Sequence, residues 1–212
     1  VTPPDQIDEV VATLAGVVNS RLTAALAHLG ARAVGLRLGD GGLATAAAMV
    51  RPGVDLGYVG EVTGGDPAML HHLLSEGYLP VLSSIAYGPG GVLLNVNADD
   101  AAAAVASILG ARMLVLLTDV AGVLADDGRR IPLLESDEIE RLIGSGVIHG
   151  GMVPKVRAAL AAANHAGAPV LIASWGDPAA LAHIATGHAP GTLIMPDESE
   201  TIEEAKGRGA AQ

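Results

Sequence analysis

Apolar residues recur at helical spacing near the start of the chain, at Ile7, Val10, Val11, Leu14, Val17 and Val18. They follow Thr2-Pro3-Pro4-Asp5, which has the polar cap, proline and acid of a helix start. The pattern predicts a helix to about Leu29, stopped by Gly30. A short strand over 33–38 is closed by Gly39-Asp40-Gly41-Gly42, and residues 43–64 read as a hairpin about Arg51-Pro52-Gly53. Asp66-Pro67 opens a helix through Leu74. The apolar run 79–85 reads as a strand buried on both faces, and 92–96 as a second strand of that unit. An Ala-rich helix follows Asn97-Ala98-Asp99 and ends near Gly110. Residues 113–117 give the strongest buried-strand pattern and run into Thr118-Asp119. Helices over 138–143, 155–165 and 178–185 alternate with strands over 170–173 and 192–194, and the polar stretch 196–212 reads as a frayed tail.

Strands alternating with helices at this spacing predict an α/β fold with a mostly parallel central sheet covered on both faces, a three-layer αβα sandwich. Ligands in such folds sit at the carboxyl ends of strands, which directs attention to the residues after Ile85, Val96 and Leu117. With 50% hydrophobic residues and 17% charged ones, the chain can build a packed core. With no Phe, one Trp and three Tyr, that core must be assembled from Ala, Val, Leu and Ile. A net charge of −11 argues against nucleic acid as a partner but not against a nucleotide, whose phosphates can be held by backbone N–H groups and a Lys or two. The absence of Cys removes disulfide and thiol chemistry and fits a cytoplasmic protein. No uninterrupted apolar run reaches the roughly 18 residues of a membrane span, so no membrane partner is expected.

Three segments could carry chemistry. In Asn95-Val96-Asn97-Ala98-Asp99 a strand becomes a helix, with amides able to hold a carboxylate and an acid able to orient a Lys or a metal. The plainer alternative is that Asn97 or Asp99 caps the helix. Thr118-Asp119-Val120-Ala121-Gly122-Val123-Leu124 puts an acid and small residues at the sheet's carboxyl edge, where a nucleotide could lie, or is simply a turn. In His149-Gly150-Gly151-Met152-Val153-Pro154-Lys155 a glycine pair beside a helix start would let backbone N–H groups approach phosphate, with Lys155 as a mobile cation; from the residues alone a plain loop is the more ordinary reading. The GxxxxGK[ST] phosphate loop is not met, no GxGxxG follows a strand, and His71, His72, His165, His183 and His188 lack metal-ligand spacing, so no metal ligand is assigned. Ser83-Ser84 lies within a strand and reads as a wall.

Taken together, these segments resemble the N-acetylglutamate kinases of the amino-acid kinase family. The resemblance adds Val1-Thr2-Pro3, Leu14-Ala15-Gly16-Val17-Val18-Asn19, Ala33-Val34-Gly35-Leu36 with Gly39-Asp40-Gly41, and Glu76-Gly77-Tyr78-Leu79-Pro80-Val81, in the family's order. It implies one kinase domain over 1–212, with a substrate-side lobe at about 1–96 and an ATP-side lobe at about 97–195. It implies ATP-dependent phosphorylation of N-acetyl-L-glutamate in arginine biosynthesis, with Mg²⁺ carried on the ATP, and a homodimer. Asn95 and Asn97 would bind the substrate, Asp99 would hold catalytic lysines, and Lys155 would stabilise the transferring phosphoryl group. Asp119, Val120, Ala121, Gly122, Val123 and Leu124, with Val147, Ile148 and His149, would line the ATP site. The family also has an upstream strand with a Lys and glycine-rich loop, a second Gly-Gly loop and a substrate-gripping Arg, none of which is in these residues. The 212 residues alone are therefore expected to show little turnover. A noncatalytic remnant that binds nucleotide or a partner chain, and a sibling kinase acting on another carboxylate, remain the alternatives.

Overall fold

The computed structural model describes residues 1–197, and the chain divides into two compact units, Val1–Leu114 and Val115–Gln212. In the first unit, α1 (Ile7–Val11) and α2 (Asn19–His28) are joined by a π-helical segment, Ala12–Val18, into one helix over Ile7–His28. Its 22 residues have a mean hydropathy of 1.5. By length and composition alone it passes the test for a membrane-crossing helix, although no unbroken apolar run in the sequence reaches that length. Polar residues such as Asn19 and Arg21 interrupt the runs without lowering the average enough.

Strand β1 (Ala33–Arg37) pairs in parallel with β4 (Leu79–Ser83) to form a two-stranded sheet. The buried Asn19 amide ties the helix to it by donating to the Val81 carbonyl at 2.8 Å. Gly35 makes that approach possible, because a Cβ there would collide with the Asn19 side chain. The expected hairpin is β2 (Thr45–Ala48) and β3 (Val59–Gly64), paired antiparallel. The single strand expected over 79–85 breaks at Ser84. The Ser84 carbonyl accepts from Val96, so the chain leaves β1 and continues as β5 (Ile85–Tyr87) against β6 (Leu93–Val96). Strands β2, β3, β6 and β5 close into a small barrel that the sequence pattern did not predict. Its interior holds Ala46, Ala86, Leu94 and Val96, continuous with Ala101 of α4 (Ala98–Leu109). Helix α3 (Ala68–Ser75) buries Leu70. The first unit runs past the expected lobe boundary at 96 and includes α4.

The second unit carries the sheet β7 (Leu114–Thr118), β9 (Val170–Ser174), β10 (Thr192–Ile194) and β8 (Leu133–Leu134), in that order. β10 is parallel to β8 and antiparallel to β9. Val170, Leu171, Ile172 and Ala173 are fully buried, as the unbroken apolar run predicts. Helix α5 (Ser136–Gly144) contributes Ile139 to this core, and α6 (Met152–Ala166) contributes Val156 and Ala159; α7 (Ala180–Ala185) buries Ala180. The strand expected to be most buried, β7, is only half-buried, with Leu117 39% exposed. Apolar content sets what a strand can bury, not whether a neighbour covers it. The expected frayed tail lies outside the described residues from 198 on. Asp197 is held by paired hydrogen bonds with Asn164, each 2.7 Å.

Candidate active site

Within the first unit, Asn95, Asn97 and Asp99 lie together where β6 passes into α4. The Asn97 side-chain oxygen accepts from the Asp99 and Asp100 backbone N–H groups at 3.0 and 3.1 Å, so Asn97 is the N-cap of α4. Its amide NH₂ makes no hydrogen bond among the described residues. Asp99 and Asp100 fill the first turn, where acids complement the helix dipole, and both are exposed. The half-buried Asn95 donates from its amide to the Thr2 hydroxyl at 3.1 Å. Alternation along β6 buries Leu94 and Val96 in the barrel and turns Asn95 the other way.

Within the second unit, the loop after β7 is fixed at both ends. The Thr118 hydroxyl accepts from the Val120 N–H at 3.2 Å and donates to its carbonyl at 3.1 Å, locking the turn that presents Asp119. Further on, the buried Thr192 hydroxyl accepts from the Val123 N–H at 2.8 Å and donates to the Ile131 carbonyl at 2.7 Å. Gly122 sits against this post with φ of 134°, and a Cβ there would lie 2.6 Å from the Thr192 hydroxyl. Val123 is buried as an anchor, while Leu124 is 52% exposed.

The second wall comes from the segment before α6. Ile148 is buried and Gly150 adopts φ of 56°, turning the chain between His149 and the helix. Helix α6 starts at Met152, a turn earlier than the pattern predicts, with neither a side-chain cap nor an acid in its first turn. Its N-terminal N–H groups therefore add to a positive end. Lys155 projects from this turn and its ammonium meets the Asp119 carboxylate at 2.5 Å. That hydrogen bond and the charge of Lys155 hold the Asp119 carboxyl below its ordinary range. Asp119 and Lys155 are thus brought together, with Asp119 the more exposed of the two. The sequence placed Asp119 in the nucleotide wall without naming it as the lysine's partner. It missed Thr192 altogether, whose signal was a lone hydroxyl in an otherwise apolar terminal strand.

The model of the amino acid kinase family matches residues 2–174, and the chain belongs to that family. Among its relatives, the acetylglutamate kinase of Shewanella amazonensis is 46% identical over 198 residues, covering 93% of this chain and 74% of the relative. The acetylglutamate kinase of Actinobacillus succinogenes is 48% identical over 196 residues, covering 92% and 75%. Of solved structures, N-acetylglutamate synthase from Neisseria gonorrhoeae superposes with a TM-score of 0.73 at 28% identity, over 93% of this chain and 47% of that one.

Proposed function

We propose that the chain phosphorylates the side-chain carboxylate of N-acetyl-L-glutamate with ATP, giving an acyl phosphate for arginine biosynthesis. The observation that carries the reading is the Lys155 ammonium held by Asp119 at the uncapped start of α6, in a chain 46% identical to an acetylglutamate kinase. In this reading a substrate carboxylate oxygen attacks the γ-phosphorus. The bond from that phosphorus to the β,γ-bridging oxygen breaks, and ADP leaves with the electron pair. The carboxylate is already a nucleophile, so no strong general base is needed. Catalysis then rests on positioning and on cations at the transferring group.

Lys155 exchanges Asp119 for the phosphoryl oxygens, and Asp119 keeps the ammonium aimed before the nucleotide arrives. Residues Asp119 to Leu124 form one wall for ATP and Val147, Ile148 and His149 another, with the α6 N-terminus adding N–H donors. Asn95 and the free NH₂ of Asn97 bind the acetylglutamate, and Asp99 orients cationic groups of the site. Mg²⁺ travels on the ATP phosphates and neutralises their charge. The protein works as a cytoplasmic homodimer, off the membrane and without nucleic acid; its net charge of −11 supports the last point.

Hydroxylamine trapping of the acyl phosphate tests the reading. The longest polypeptide its reading frame encodes is supplied with ATP, Mg²⁺ and, in turn, acetylglutamate, aspartate and aminoadipate. Hydroxamate from acetylglutamate is expected. Product from another acid alone would transfer the assignment to a sibling kinase, and no product from any would favour a noncatalytic remnant.

A further inference from the structure

Thr2 is only 3% exposed. Among the described residues its hydroxyl has one partner, the Asn95 side-chain amide, which donates to it at 3.1 Å. The backbone of Thr2 is pinned to the segment that leads into β3. Its N–H donates to the Leu56 carbonyl at 3.0 Å, and its carbonyl accepts from the Tyr58 N–H at 2.7 Å. Between those two residues Gly57 adopts φ of 62°, and a Cβ there would collide with the Thr2 carbonyl. A residue with a side chain would therefore push Thr2 away.

Asn95 docks on the same segment. Its N–H donates to the Tyr58 carbonyl at 2.8 Å. Thr2 thus lies opposite Gly57 and Asn95 opposite Val59, both in parallel register. Positions two apart share a face, so the two side chains meet on the side away from the barrel interior. A Val in place of Thr2 would fill the same volume, so packing alone does not call for the hydroxyl. A buried hydroxyl is costly unless it is bonded. Here the bond goes to a side chain and not to the backbone, so what it fixes is the rotamer of Asn95.

We propose that Thr2 is a positioning residue for substrate binding. Its hydroxyl holds one edge of the Asn95 amide and leaves the carbonyl oxygen aimed at a hydrogen-bond donor on acetylglutamate. The inference rests on the kinase reading and on the place of Asn95 in it, and adds a residue that itself touches no ligand. An amide left to itself samples several rotamers, and binding must then restrict it. An amide fixed beforehand loses less freedom when the acid arrives. The gain belongs to binding of the acid and not to phosphoryl transfer, so it shows in KM and not in kcat.

The test uses the polypeptide and the hydroxylamine assay of the kinase reading. Thr2→Val should raise KM for acetylglutamate about three- to tenfold, the worth of one immobilised side chain. Both kcat and KM for ATP should stay within about twofold of wild type, and Thr2→Ser should restore KM for the acid. On an Asn95→Ala background Thr2→Val should change that KM by less than about twofold, because the hydroxyl acts only through the amide. Thr2→Ala removes the same oxygen and should repeat the result if the Val variant folds poorly. An unchanged KM for acetylglutamate, an equal rise in KM for ATP, or the same rise without Asn95 would overturn the inference while leaving an active kinase. A wild type that makes no hydroxamate from acetylglutamate would sink the kinase reading, and this inference with it.

Discussion

Replacing Thr192 with Val removes one oxygen and nothing else of size, yet two parts of the nucleotide-side loop hang on that oxygen. Thr192 is fully buried, accepts from Val123 at 2.8 Å and donates to Ile131 at 2.7 Å. In the variant the buried Val123 N–H has no acceptor, at about 1–3 kcal/mol. The Ile131 carbonyl is partly open to water, so its loss is nearer ~0.5–1 kcal/mol. A methyl in place of the hydroxyl returns about 1 kcal/mol of transfer free energy. The net is a destabilisation of about 2 kcal/mol, or roughly 4–8 °C in Tm for a chain of this size. Thr192→Ser keeps the hydroxyl and gives up one buried methyl, at about 1 kcal/mol. The two variants therefore separate the polar post from its packing. Thermal melts give stability, and equilibrium dialysis of ATP reports whether the Asp119 to Leu124 wall has lost its shape. The Val variant should bind ATP several-fold more weakly and the Ser variant should match wild type. Val within about 0.5 kcal/mol of wild type, or Ser as damaging as Val, would refute the reasoning.

Three further outcomes follow from the same structure. Lys155→Ala should lower hydroxamate formation about a hundredfold or more, as when a cation aimed at developing charge is lost, with a smaller change in KM for acetylglutamate. Asn97→Ala should cost about 1 kcal/mol of stability in chemical denaturation through the lost cap of α4, and Asn97→Ser should recover most of it. Burial pushes the Asp40 carboxyl up, but the Arg37 N–H, the Tyr87 hydroxyl and the Arg37 guanidinium together bring it below its ordinary value. A lowered carboxyl stabilises the fold above the unfolded pKa of about 3.9, and that contribution is lost as pH falls through the folded value. Asp40→Asn should therefore melt earlier than wild type at pH 7, with the gap closing as pH falls below the usual carboxylate range; a gap constant down to pH 2 would contradict this.

Much of this architecture was legible because it follows from local rules. The helix near the start, the hairpin at Arg51-Pro52-Gly53, the Asn97 cap and the closing strand at Thr192 each rest on residues that are neighbours in sequence. What escaped depends on partners distant along the chain. Nothing local announces that Ser84 passes its strand from β1 to β6, since the apolar run continues through Ile85. Nothing local says that β7, the most apolar strand, is left half-covered. The site divides in the same way. The two candidate segments of the second unit were readable as a strand end and a helix start, but the bond between Asp119 and Lys155 joins residues 36 apart.

In the proposed reading, that pairing would let a chain with a formal charge of −11 receive a polyanion. A broad basic surface would offset the chain's own charge but would attract any anion. Here one ammonium is kept in place by one carboxylate, and the remaining attraction comes from backbone N–H groups at the α6 N-terminus, which add local donors without adding net charge. Exposed pairs of this kind add little to stability, so the Asp119–Lys155 contact is better understood as aim than as glue. A cation aimed in advance loses less rotamer freedom when phosphate replaces the carboxylate, so that cost is met in folding and not at the moment of transfer. The consequence is a division of labour in the second unit. The buried Thr192 post and the Val123 anchor carry the loop's stability, while Asp119, Leu124 and Lys155, the groups left partly open to solvent, are the ones the proposed reaction would use.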